Sequence, residues 1–172
     1  MRVYCLYNLL SLIFFQYSFT NISVIETPRS STVFENKVDL YGPALAVDGK
    51  ISSGSTGFFM TDKLHYQWLE LPLKVPKRLI GVKITNRKDL DTSSLFKLEI
   101  RAGGDQASGS DKLTHNEKVG YYNGPAAKGE TFVVWFDKTV LAKYVTLQLT
   151  YGNIIKYLGW LYINEVVLIP GS

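Results

Sequence analysis

Ile80-Gly81-Val82-Lys83-Ile84-Thr85 sets apolar residues at every second position, and Phe96-Lys97-Leu98-Glu99-Ile100-Arg101 repeats the pattern a little further on. Successive side chains of an extended strand point to opposite faces, so both stretches read as strands with one face toward a core. Outward from them lie Thr131–Phe136, Tyr144–Thr150 and Leu161–Ile169, rich in the β-branched and aromatic residues that pack well on a pleated surface. Turn signals separate these runs: Asp48-Gly49, Gly103-Gly104, Asn123-Gly124-Pro125 and Gly152-Asn153. Beyond the first twenty residues there is no long helical periodicity, no internal repeat and no linker. Short strands at this spacing predict an all-β fold, a jelly-roll β-sandwich in a single domain.

The 172 residues suffice to bury a core, and 20% charged with 13% aromatic residues is not the composition of a disordered tail. One cysteine excludes a disulfide scaffold and a cysteine-based zinc site, and two histidines leave little for a His-rich metal centre. The composition favours a binding module over a metalloenzyme.

Residues 1–20 differ from the rest. Arg2 precedes an apolar stretch containing Leu9, Leu10, Leu12, Ile13, Phe14 and Phe15, and Ser18 and Thr20 are small residues suited to a cut before Asn21. That is the form of a secretory signal peptide, with residues 21–172 as the mature domain. Asn8, Ser11 and Gln16 interrupt the apolar run and make it a poor membrane span, the competing reading being an uncleaved anchor. Cleavage would remove Cys5 and leave 18 − 15 = +3 formal charges, Arg2 being the one charged residue lost. Asn21-Ile22-Ser23 is a glycosylation sequon at the new terminus.

Basic residues gather between Lys74 and Arg101, and Lys83, Lys97 and Arg101 alternate with the apolar positions of their strands. Such a face suits anionic glycans or the acidic head groups of a membrane surface, or is an ordinary solvated sheet face. Nucleic acid is not expected as a partner of a secreted protein. Catalysis finds no support: His65 and His115 have no nucleophile motif or spaced carboxylate pair to serve, and Asp62 and Glu70 are explained as well by solubility and strand placement. Trp68, Trp135 and Trp160 are suited to stacking on sugar, although tryptophans in strands are more often core.

Several segments together resemble the F-type lectins, or fucolectins, of the discoidin-like, galactose-binding-like jelly rolls. They are Ala44-Leu45-Ala46-Val47-Asp48-Gly49, Trp68-Leu69-Glu70-Leu71, Val82–Asp89, Leu98–Gly103, Lys143–Leu147 and Ile163-Asn164-Glu165-Val166, covering roughly residues 25 to 169 in family order. The resemblance implies a carbohydrate-binding module with a glycan or glycoconjugate as partner. The alternative is an extracellular interaction module that keeps the fold without the sugar site. Fucolectins hold fucose with a His, then, after 26 residues, Arg-x-Asp, then, after four more, a basic residue. Arg87-Lys88-Asp89 matches the centre of that pattern, while Met60 stands at the His position and Ser94 at the basic one. His65 lies 21 residues before Arg87, the wrong spacing, and Leu90-Asp91 replaces the cysteine pair usual there. A bare Arg87–Asp89 ion pair that holds the loop is the other reading of this motif.

The resemblance also implies a structural calcium ion (Ca2+). Asp48 and Glu165 would give side-chain oxygens, and Leu45, Lys50, Gly57 and Asn164 mainly backbone oxygens. Six oxygen ligands suit calcium better than zinc. Without the ion, Asp48 would cap its turn and Glu165 would pair with a lysine.

Overall fold

A computed structural model describes residues 24–90, 95–109, 114–150 and 159–172. The signal-peptide, sequon and Ser94 expectations fall outside these residues. Eight strands dominate the described residues: β1 (Arg29–Ser30), β2 (Phe59–Met60), β3 (Trp68–Thr85), β4 (Leu98–Gly103), β5 (Glu117–Tyr122), β6 (Thr131–Leu149), β7 (Tyr162–Ile163) and β8 (Glu165–Pro170). One short helix, α1 (Val38–Tyr41), lies between 3-10 turns at Phe34–Asn36 and Pro43–Ala46. The all-β expectation holds. Among the described residues no helix is long and apolar enough to cross a membrane.

The strands differ from the sequence reading in length. Ile80–Thr85 is the last third of an 18-residue strand, and Thr131–Phe136 and Tyr144–Leu149 are the ends of one 19-residue strand, β6, with Thr150 just beyond it. A straight strand of 18 residues spans about 60 Å, well beyond the width of a domain this size, so it has to bend. In β3 the bend falls where exposed Lys74–Arg78 follow buried Trp68–Leu73, and the pairing with β6 shifts register between Pro72 and Lys77. Pro72 and Pro76 bring no N–H to the ladder there. Before the bend, Trp68–Pro72 pairs with Tyr144–Gln148; after it, Lys77–Thr85 pairs with Thr131–Ala142.

β3 and β6 thereby serve both layers of the sandwich. The first half of β3 is flanked by β1, and the far edge of β6 continues into β4 and β5. The second half of β3 carries β8 on its other side, from Leu79↔Pro170 to Thr85↔Glu165. Leu71, Val82, Ile84, Leu98, Ile100, Val134, Leu147 and Val166 all point into the one core between the layers. The run Leu161–Ile169 breaks at Asn164 into β7 and β8, and β7 pairs with β2 in a separate two-stranded ribbon, Phe59↔Ile163 and Met60↔Tyr162. That ribbon and the end of β3 position the site.

Candidate functional site

β3 ends at Thr85, and the chain turns out of the sheet through Asn86 and Arg87. Asn86 fixes the turn: its Nδ2 donates to the carbonyls of Ala126 and Ala127 at 3.2 and 2.9 Å, and its Oδ1 accepts from the Arg87 N–H. The Gly129 N–H donates to the Arg87 carbonyl at 2.7 Å. With its backbone held on both sides, Arg87 sets its guanidinium over two rings, 4.6 Å from the centroid of Phe58 and 4.9 Å from that of Tyr162. Nε and Nη2 donate to Asp89 Oδ1 and Oδ2 at 2.7 and 2.6 Å, a two-pronged pair. Both side chains are about nine-tenths buried, and the Arg87 hydrogen bonds hold the Asp89 carboxyl below the usual carboxylate range. Both rings pack against the guanidinium, and Nη1, which is not part of the pair with Asp89, still has donors to offer a ligand.

Arg87 and Asp89 lie in a cleft of about 420 Å³, within the range for small-ligand sites, walled by Phe34, Tyr41, Ser55, Met60, Leu90, Trp160 and Tyr162. Phe34 and Tyr41 meet edge to face at 5.3 Å, and Tyr41 meets Phe58 at 5.8 Å, which ties the α1 segment to the β2 ribbon. The Tyr41 hydroxyl donates to the Ser55 carbonyl. Trp160 carries the Lys63 ammonium 4.7 Å from its ring centroid. The structure thus brings three of the four residues named as sugar-binding, Met60, Arg87 and Asp89, to one cleft, and the ion-pair reading of Arg87 and Asp89 holds at the same time. Phe34, Tyr41 and Ser55 carried no sequence signal, because they reach the cleft from a segment without strand or helix periodicity.

The sequence pattern of the F5/8 type C domain matches residues 27–161. The chain belongs to the F5/8 type C domain family. No curated protein sequence matches it. Among solved structures, a fucolectin from striped bass (Morone saxatilis) serum shares this F5/8 type C fold with a TM-score of 0.71 and 22% identity, over 85% of this chain and 46% of that one. The chain thus spans about half of that lectin's length. A fucose-binding module of Streptococcus pneumoniae aligns with a TM-score of 0.65 and 22% identity, over 88% of this chain and 96% of that one. A Clostridium perfringens module in complex with GalNAc-β-1,3-galactose aligns with a TM-score of 0.64 and 15% identity, over 84% and 94%.

Other expected features of this F5/8 type C domain resolve differently. His65 is not among the cleft-lining residues. His115 faces solvent as expected. Asp62 and Glu70 form no acid pair: Asp62 accepts from the Glu35 N–H, while Glu70, fully buried, accepts from Ala107 N–H and Arg29. Burial raises the Glu70 pKa, opposed by those two partners. The basic sheet face does not form as a row of free cations. Arg101 donates twice to Glu99, at 2.9 and 2.6 Å, and to the Thr114 and Asn116 carbonyls, and Lys97 donates to Asn123. Trp68 is buried, but Trp135 is 58% exposed on the outer face of β6.

Some of the residues named for calcium lie close to one another. Glu165, at the start of β8, is nearly buried and accepts from the Gly49 N–H at 3.2 Å, which sets the Asp48-Gly49 turn beside it. Asn164 donates to the Ser52 carbonyl at 2.7 Å and accepts from the Ser52 N–H at 2.8 Å, clasping the loop between Asp48 and Gly57. Asp48 Oδ1 caps its own turn through the Lys50 N–H. Gly57 takes a left-handed φ of 81°, and Leu45 lies in the 3-10 turn that leads into Asp48. Among the described residues no three His, Cys, Asp or Glu cluster together, but a donor set of two carboxylates and several carbonyls would form none. The chemistry is that of hard oxygen donors beside a nearly buried carboxylate, which fits calcium.

Proposed function

We propose that this F5/8 type C domain is a non-catalytic carbohydrate-binding module whose ligand enters the Arg87 cleft. The observation that carries the reading is the guanidinium clamped by Asp89, packed over Phe58 and Tyr162, in the lining of an aromatic-walled cleft. A sugar presents hydroxyls along its edges and C–H bonds on its faces. A fixed guanidinium edge can donate to adjacent hydroxyls without first losing side-chain entropy, and the rings cover the apolar face. The names of the structural neighbours, fucolectin and fucose-binding module among them, support the same ligand class.

In the same reading residues 1–20 are a signal peptide and the domain is secreted. Calcium would be held by Asp48 and Glu165 with the carbonyls of Leu45, Lys50, Gly57 and Asn164. Its chemistry there is structural: it would neutralise two carboxylates and tie the loop to β8.

An array of immobilised glycans probed at low and high salt tests the module. Retention that survives salt is expected, because Arg87 is already neutralised by Asp89 and buried contacts are weakly screened. Retention on sulfated glycans alone that collapses with salt would move the site to a charged surface. No retention on any glycan would refute the reading in favour of a protein partner.

A further inference from the structure

We infer that the Arg87 cleft selects a sugar with one hydroxyl capped as a methyl ether, opposite an edge of free hydroxyls. This rests on the carbohydrate reading and adds the ligand's chemistry. Among the described residues that line the cleft, donors are few. Arg87 Nε and Nη2 are committed to Asp89, and each Asp89 oxygen already accepts one of those bonds, which leaves Arg87 Nη1 and the Ser55 hydroxyl as donors. The Tyr41 hydroxyl is committed to the Ser55 carbonyl.

The same cleft is lined by Met60, Leu90, Phe34 and the Trp160 ring. Met60 is 8% exposed and paired to Tyr162 across the β2–β7 ribbon, so its thioether is a fixed part of the wall. A thioether is at best a weak acceptor and donates nothing. A ring hydroxyl pressed against it would leave water and find no partner, which costs on the order of tenfold in affinity. A methyl ether at that position has no proton to place, and its methyl adds apolar contact worth roughly fourfold. Discrimination then follows from what the wall rejects as much as from what it attracts.

The experiment measures the affinities of fucose and galactose, and of each of their mono-O-methyl ethers, by calorimetry on the full domain. At least one ether should bind fivefold or more tightly than its parent. Met60→Leu should keep that ratio, and Met60→His should bring it to one or below. A native near-UV spectrum and melt establish that each variant is folded. Parents that bind as tightly as all their ethers would overturn the inference while leaving the carbohydrate reading intact, as would a folded Met60→His variant with an unchanged ratio. If neither parents nor ethers bind, the carbohydrate reading fails and the inference falls with it.

Discussion

Arg87 is both a ligand donor and a structural residue, and its substitution will show both. Removing it strands a nearly buried Asp89 and leaves a gap beside Phe58 and Tyr162, so Arg87→Ala should abolish glycan retention and cost about 3–5 kcal/mol of stability. Sequence reasoning anticipates the first effect and misses the second, because an Arg-x-Asp spacing does not reveal the two rings packed against the guanidinium. The milder Asp89→Asn keeps the shape but weakens the clamp. The pair also sets a pH response. Arg87 lowers the Asp89 pKa in the folded chain, so this contribution to stability is complete above the unfolded carboxylate value and fades as pH falls through the folded one. Melting temperature followed into acid should therefore fall more steeply for wild type than for Asp89→Asn. Parallel acid limbs would show that the clamp contributes nothing.

At the scale of elements, the loop from Asp48 to Gly57 depends on Asn164 and Glu165 for its place. An ion bound to the folded state alone, at a hundred times its dissociation constant, adds about 2.7 kcal/mol. Millimolar calcium should raise the wild-type melting temperature by several degrees over EDTA and leave Asp48→Ala unmoved; superimposed wild-type melts would refute the site. The second half of β3 makes a different demand. A side chain at Gly81 would place its Cβ 2.9 Å from the Val134 carbonyl and 3.1 Å from the Trp135 ring, where the register with β6 shifts. Gly81→Ala should destabilise by roughly 1–3 kcal/mol in a denaturant titration, and an unchanged midpoint would mean that the strands yield freely. This stretch also shows what the sequence makes legible. Val82 and Ile84, like Leu98 and Ile100, are buried as their alternation requires, whereas Ile80 is only half-buried because the irregularity beside Gly81 breaks the period. Pro72 and Pro76 mark an ending in local terms, yet the strand bends through them because β6 and the core continue on both sides. The Arg87–Asp89 motif is readable because it is contiguous; the wall of Phe34, Tyr41, Met60 and Trp160 is assembled from separate segments by the fold alone.

For the whole molecule, the secretion proposal makes a direct claim: N-terminal sequencing of exported protein should begin at or near Asn21 with no free thiol, and a start at Met1 that retains Cys5 would refute it. The described domain is tied together by β3 and β6, which run through both layers, so neither layer has a complete set of partners without the other. β8 completes the open side of β3 from Leu79 to Thr85, although the partners Thr85 and Glu165 stand eighty positions apart in the chain. On the ribosome, then, this half of β3 emerges long before the strand that will pair with it. Until Glu165–Pro170 is made, Val82 and Ile84 belong to an uncapped sheet edge of the kind that recruits other chains. The edge thus stays open for nearly half of synthesis, and mutations that weaken β8 should lower the yield of soluble protein before they touch any property of the finished site.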